Sequence, residues 1–242
     1  MTKLRLEQID AAYRKKKVLR EINVDAKPGE IVAIIGPNGA GKSTVLKVAA
    51  GMLDPNKGSV QLDGRDITTL PTHERVELGL GYCIQGGRIF PSLTVRENLA
   101  MGASSMPSSK QKSNTAAVLE VFPDLEDLLD RRAGLLSGGE RQSLALCMVL
   151  VRRPQVLLLD EPSAGLAPRL VQDLLGTVHT LNEEWNLTVL LVEQNVRAAL
   201  HVADRAVALA NGEVSRTTER PATWLDGEEM EDLFLGSGAT SL

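Results

Sequence analysis

Gly36-Pro37-Asn38-Gly39-Ala40-Gly41-Lys42-Ser43 follows the apolar run Ile31 to Ile35 and precedes Val45, Leu46, Val48 and Ala49. The octapeptide matches G-x-x-x-x-G-K-[ST] at every fixed position. A buried strand before it and an apolar-faced helix from about Gly41 are the context that pattern requires. The glycines let several backbone N–H groups turn inward toward phosphate. The helix N-terminus adds partial positive charge. Lys42 supplies a mobile cation for the outer phosphates, and Ser43 supplies a hydroxyl that can ligate Mg²⁺. A strand, a phosphate loop and a helix in this order predict an α/β fold.

Outward from this stretch the pattern stays consistent. Lys3 to Ile9 and Val18 to Asp25 alternate as half-buried strands do, and Arg14-Lys15-Lys16-Lys17 reads as a solvated hairpin or loop between them. Pro28-Gly29 marks a turn, and Asp54 to Gly58 a loop. Ser59 to Ile67 reads as a short hairpin around Asp63-Gly64. From about Gly86 to Arg153 the pattern is mostly helical, with a polar loop at Ser104 to Ser113. Strands return at Val156 to Leu159, Thr188 to Val192 and Arg205 to Ala210, the last followed by an Asn211-Gly212 turn. Strands alternating with helices indicate a largely parallel sheet.

Composition excludes other classes. The chain has 242 residues, 27 Lys+Arg against 31 Asp+Glu, and a formal net charge of −4. That length can bury one sizeable core. The mildly acidic balance and the few aromatics, three Phe, two Trp and two Tyr, give no basis for binding nucleic acid. Cys83 and Cys147 are too few for a disulfide framework and fit a reducing compartment. The longest apolar stretch, Leu144 to Val151, is eight residues, whereas a spanning helix needs about 20. Arg5 and Glu7 interrupt any signal-peptide core. The expectation is a protein that stays where it is made.

Two further motifs carry chemistry. Val156-Leu157-Leu158-Leu159-Asp160-Glu161 is an apolar strand ending in two carboxylates, at the sheet edge where α/β ligands bind. Asp160 would hold Mg²⁺, directly or through water, and Glu161 would polarise the water that attacks a γ-phosphate. Acidic turn residues at a strand end would explain the pair by itself, but not its company with the phosphate loop. Leu136-Ser137-Gly138-Gly139-Glu140 opens a helix, and S-x-x-E is a capping-box pattern. The two glycines also expose N–H groups at a helix N-terminus, a second anion site.

The phosphate loop, LSGGE at 136–140 and LLLDEP at 157–162, in this order and spacing, resemble the ATP-binding cassette (ABC) ATPases over nearly the whole chain. The resemblance implies a P-loop core with a mostly parallel sheet, an antiparallel β subdomain and an inserted α-helical signature subdomain. The single ABC domain would divide into a core of residues 1–85 and 154–235, a helical part at about 86–153 and a tail at 236–242. The resemblance further implies a head-to-tail dimer with ATP and Mg²⁺ held between the 36–43 loop, extended by Thr44, of one subunit and Ser137 to Glu140 of the other. Tyr13 matches the aromatic that stacks on adenine. Gln85 matches the glutamine that meets Mg²⁺ or the attacking water. Gly86 to Asn98 matches the surface that faces a membrane partner, and Gln194 stands where most members carry a switch histidine.

Departures narrow the resemblance. Gln194 replaces His, Ala167 stands where many members have Asp, Ile84 replaces Pro, and Met148 replaces Arg. The first two are shared by one branch. Ser163 to Pro168 (SAGLAP), Val192 to Asn195 (VEQN), Phe90 to Val95 and Glu97-Asn98-Leu99 resemble ATPase subunits of branched-chain amino acid and urea importers. The expected partners are transmembrane permease subunits, a like or unlike second ATPase and, indirectly, a solute-binding protein, with no nucleic acid. The expected place is cytoplasmic, peripheral on the inner face of the cell membrane. Alternatives are an ABC ATPase of lipopolysaccharide export or of a soluble role, or a non-catalytic ATP-binding regulatory module. A P-loop GTPase lacks support, since Asn56-Lys57-Gly58-Ser59 is not N-K-x-D. Arg216 to Leu242 reads as a helix pair around Trp224 to Leu235 with a Gly/Ser tail.

Overall fold

Ile31–Ile35, the strand that feeds the phosphate loop, is buried along its whole length at the middle of a six-stranded sheet. The computed structural model describes residues 3–225. The C-terminal helix pair and tail expected beyond Trp224 lie outside the described residues, apart from a 3-10 turn at Pro221–Leu225.

In chain order the elements are β1 (Leu4–Tyr13), β2 (Lys16–Ala26), β3 (Ile31–Ile35), α1 (Lys42–Ala49), β4 (Lys57–Leu62), β5 (Arg65–Asp66), α2 (Thr72–Glu77) and β6 (Leu80–Cys83). Then follow α3 (Val95–Gly102), α4 (Ser108–Val121), α5 (Gly138–Leu150), β7 (Val156–Asp160), α6 (Pro168–Trp185), β8 (Thr188–Val192), α7 (Val196–Val202), β9 (Arg205–Ala210) and β10 (Glu213–Thr218).

The six-stranded sheet runs β10-β9-β3-β8-β7-β6. All its pairs are parallel except β9 with β10, which the Asn211-Gly212 turn joins as a hairpin. The C-terminal ends of β3, β6, β7 and β8 therefore share one edge. An antiparallel sheet, β2-β1-β4-β5, forms the second layer.

The apolar runs have no alternation because both faces of the parallel sheet are covered. Ile31, Ala33, Ile35, Leu157, Leu159, Val189 and Leu191 pack into a core with residues of α3, α5, α6 and α7. Val32, Ile34, Val156, Leu158, Leu190 and Val192 face α1 and the antiparallel sheet. Between β6 and β7 the elements are α3, α4 and α5, with 3-10 turns.

Several expectations are corrected. Ser104 to Ser113 is not one loop: α4 already begins at Ser108. Its first half is Ser-, Lys- and Gln-rich and mostly exposed, so no apolar stripe marks it. The basic run Arg14 to Lys17 is only half loop, because Lys16 and Lys17 pair within β2 against Tyr13 and Ala12. β1 reaches Tyr13 rather than Ile9. A register shift between Leu6 and Ile9, with Gln8 at φ +50°, breaks the alternation that would have shown its length.

Arg75, fully buried, supports the phosphate-loop helix from its far end. Its guanidinium donates to the carbonyls of Val48 and Ala49 at 2.8 Å and also to those of Leu70 and Thr68. A cation at a helix C-terminus satisfies carbonyls that have no intrahelical partner and complements the helix dipole.

Candidate active site

The phosphate loop needs its glycines for specific reasons. Gly36 has φ +144°, and a Cβ there would collide with the Leu209 carbonyl oxygen. Gly41, at φ +103°, precedes α1, and a Cβ would sit 2.7 Å from a Leu19 methyl. No side chain caps α1, so its first-turn N–H groups, on Lys42, Ser43 and Thr44, are left for an anion. Lys42 is buried, and its Nζ donates to the carbonyls of Gly36 at 2.9 Å and Pro37 at 3.1 Å. The loop is thus wound around its own cation, with Asn38 and Gly39 exposed and Ala40 buried. Burial pulls the Lys42 ammonium below the ordinary lysine value, while the charges of Glu161 and Asp160 oppose that shift.

The β7 end meets this loop directly. Ser43 Oγ donates to Asp160 Oδ1 at 2.7 Å, across 117 residues of sequence. Tyr82 Oη, from β6, donates to Asp160 Oδ2 at 3.0 Å. Asp160 is only 2% exposed, so these partners matter to a charge held out of water. A hydroxyl and a carboxylate oxygen side by side are hard oxygen donors of the kind Mg²⁺ takes, so the residues present fit that ion.

Glu161, the next residue, has φ +48°, a left-handed conformation uncommon for Glu. It turns the side chain out of the strand toward Gln85, whose Nε2 donates to Glu161 Oε2 at 2.6 Å. Burial raises the Glu161 pKa; Lys42 opposes the rise, the charges of Asp160 and Glu193 add to it, and the Gln85 bond lowers it. A carboxylate whose pKa is raised is a stronger base toward a water proton than an unperturbed one.

Beside it, the buried Glu193 carboxylate accepts N–H bonds from Ser163 at 2.9 Å, Gln194 at 3.0 Å and Asn195 at 3.3 Å. It ties the loop after Glu161 to the loop after β8. Gln194 is exposed at that strand end. In the sequence Glu193 stands only inside VEQN, and neither it nor Tyr82 carries a motif of its own. Their functions depend on neighbours across strands that no local spacing reveals.

The remaining predicted positions lie further out. Tyr13 is 43% exposed at the end of β1, with Lys47 Nζ 6.0 Å from its ring centroid, leaving a ring face open to a base. Ser137 to Glu140 open α5 through a complete capping box: Ser137 Oγ accepts from the Glu140 N–H, and Glu140 Oε2 accepts from the Ser137 N–H at 2.6 Å. That backbone bond holds the Glu140 carboxyl below its usual value. Its charge is committed to the turn, leaving Gly138 and Gly139 N–H groups as the donors. Ser137, Gly139 and Glu140 border a cavity of about 240 Å³ with Leu166, Leu170 and the end of α4; no residue of the 36–43 loop lines it.

Asn98 explains the Glu97-Asn98-Leu99 pattern. Fully buried, it accepts from the Phe90 N–H at 2.7 Å and donates to the carbonyls of Phe90 and Thr94. The segment after Gln85 is thereby pinned with Phe90 44% exposed.

Known proteins resemble this chain over most of its length. Residues 19–164 match the family model described as ABC transporter. The chain is 40% identical to the probable branched-chain amino acid transport ATP-binding protein LivF of Archaeoglobus fulgidus, over 96% of this chain and 98% of that one. It is 39% identical to the high-affinity branched-chain amino acid transport ATP-binding protein BraG of Pseudomonas aeruginosa, over 96% and 99%. Its structure is similar to the ADP conformation of an ATP-binding cassette of an ABC transporter, with a TM-score of 0.88, 27% identity, and 98% and 99% of the two chains covered. Phosphate loop, carboxylate strand end and signature helix, together with these likenesses, establish that the chain belongs to the ABC transporter family, as one of its ATP-hydrolysing cassettes.

Proposed function

We propose that this chain is the ATPase subunit of an importer for branched-chain amino acids or a similar small polar solute. The observation that carries the ATPase chemistry is the cluster Lys42, Ser43, Asp160, Glu161 and Gln85 at one sheet edge. The solute class rests on the SAGLAP and VEQN segments and on the two branched-chain amino acid relatives.

In this reading the phosphates lie on the 36–43 loop and the start of α1, and adenine stacks on Tyr13. Lys42 exchanges its two carbonyl partners for phosphate oxygens. Ser43, Asp160 and Gln85 would hold Mg²⁺, which when bound would neutralise charge on the phosphates. Gln85 occupies one oxygen of Glu161, and the other accepts a proton from the attacking water. The water oxygen bonds to the γ-phosphorus, and ADP leaves. Gln194 contacts the γ-phosphate as a neutral amide. The described parts of the core, 3–85 and 154–225, and the helical part, at about 86–153, act as separate lobes joined near Gln85; the rest of the expected core, to residue 235, lies outside the described residues.

Ser137, Gly138 and Gly139 meet the nucleotide of a second cassette, with the N–H groups at the start of α5 as the donors. Among the described residues no helix is long and apolar enough to cross a membrane. Attachment therefore goes through permease subunits at the inner membrane face, on the pinned segment around Phe90.

Glu161→Gln keeps the shape but loses the proton acceptor, a loss that typically lowers rate about 10²- to 10⁴-fold. Size-exclusion chromatography with ATP should show this variant as a dimer, and Ser137→Arg in the same chain should abolish the dimer. A chain that stays monomeric alone and with every co-purified cassette overturns the shared-site reading. Co-purification from membranes, followed by solute-stimulated ATPase assays, tests the solute class.

A further inference from the structure

Asp160 is a carboxylate with its two oxygens assigned to different neighbours. Oδ1 faces Ser43 at 2.7 Å and so faces the start of α1. Oδ2 faces the Tyr82 hydroxyl at 3.0 Å. Tyr82 stands on β6 beside β7, in register with Leu158, so sheet pairing fixes the ring where its hydroxyl meets Oδ2. A phenol has a single proton to donate. Tyr82 is half-buried, and its hydroxyl has the Asp160 carboxylate as its acceptor.

The consequence concerns how the carboxylate can bind a metal. Both oxygens carry a donor, but the Ser43 hydroxyl can turn its proton away and itself serve as a ligand, whereas the Tyr82 hydroxyl has no other partner among the described residues, so Oδ1 is the oxygen open to a metal. Mg²⁺ requires near-octahedral geometry and is satisfied by single oxygens and water. Ca²⁺ takes six to eight ligands and readily uses both oxygens of a carboxylate. We propose that Tyr82 is a positioning residue that restricts Asp160 to one-oxygen contact and thereby makes the site select Mg²⁺ over Ca²⁺. This rests on the reading of Ser43 and Asp160 as the divalent-cation site.

The alternative is that the hydroxyl only satisfies a buried charge. Loss of the hydroxyl would then lower stability without altering the choice between cations.

The test uses the whole chain with ADP and Mn²⁺, read by electron paramagnetic resonance, with Mg²⁺ and Ca²⁺ as competitors. Tyr82→Phe keeps the ring and removes the donor. The Mg²⁺-to-Ca²⁺ affinity ratio should fall about tenfold, the scale of one hydrogen bond to a charged group. Affinity for ADP without metal should stay within about twofold, which also reports that the variant is folded. Replacing Tyr82 by 4-aminophenylalanine restores a donor and should restore the ratio; it carries the test if the Phe variant does not fold. An unchanged ratio in the donor-less chain overturns the role of Tyr82 and leaves the cation site standing. Failure of the unmodified chain to bind Mn²⁺ with ADP overturns the cation site and the role of Tyr82 together.

Discussion

Gln85 Nε2 and Glu161 Oε2 stand 2.6 Å apart, joining the loop after β6 to the carboxylate at the end of β7. The bond stabilises the charged form of Glu161 against the burial that raises its pKa. Gln85→Ala removes that support, so the Glu161 pKa rises further. Activity that needs the deprotonated carboxylate is lost as pH falls through that pKa. The acid limb of the pH–rate profile should therefore move to higher pH, with a rate loss of about three- to tenfold at neutral pH. ATPase rates between pH 5 and 9 check this; an unmoved acid limb contradicts the assignment.

Lys42→Ala should weaken MgATP binding about 100-fold, the scale of charge-assisted bonds lost from one cation. The carbonyls of Gly36 and Pro37 lose their donor at the same time, so the loop should also become less ordered. Calorimetric titration measures the first effect, and hydrogen exchange over 36–43 the second. Unchanged affinity would remove the lysine from the phosphate site.

At position 194 an amide replaces a group that titrates near neutrality. Gln194→His should add a titration to the pH–rate profile between about pH 6 and 8. Gln194→Ala should slow hydrolysis while ATP affinity stays nearly intact. An Ala variant with the unmodified rate would reduce Gln194 to an exposed strand-end residue.

Arg205 and Glu30 form a buried pair, Nε to Oε1 at 2.8 Å, each less than 9% exposed. Burial pushes the Glu30 pKa up, but the Arg205 bond, the Lys27 N–H and the nearby charges more than offset it and leave it lowered. A depressed carboxylate stabilises the fold above its unfolded value, near 4.5, and that contribution is lost as pH falls through the folded value. Arg205→Met strands the charge, at a cost of about 3–5 kcal/mol, roughly 10–15 °C in Tm for a chain of this size. The deficit should be largest at neutral pH and narrow as pH falls below 4.5 toward the lowered folded value of Glu30. Thermal unfolding at several pH values measures it; a deficit independent of pH would mean the loss is one of packing.

What could be read locally was read from positions whose role depends on neighbours in sequence. The phosphate loop, the capping box at Ser137 and the exact spans of Ile31–Ile35, Thr188–Val192 and Arg205–Ala210 are of this kind. What escaped depends on contacts across the sheet. Tyr82 looks like any strand tyrosine until β6 lies against β7. Glu193 looks like a polar strand end until the Ser163 loop folds over it, and Arg75 like a surface helix residue until it closes the end of α1. The helix α4 escaped for the opposite reason: among its residues only Val118 is fully buried, so its stripe is too thin to see.

The central place of β3 has a consequence for synthesis on the ribosome. Its sheet neighbours are β8 and β9, both from the last quarter of the chain. The strand leading to the nucleotide loop therefore emerges early and waits, apolar and unpaired, until residues 188–210 follow. At about 5–20 residues per second that delay is roughly 10 to 30 s. During it the nascent chain can form its antiparallel hairpins but not the sheet that shapes the phosphate loop. Late, long-range closure of this kind slows folding and leaves strand edges exposed. The cassette cannot bind nucleotide in finished form until β8 and β9 have emerged, and a chain truncated before β8 would leave the ribosome as a candidate for chaperones rather than as a smaller ATPase.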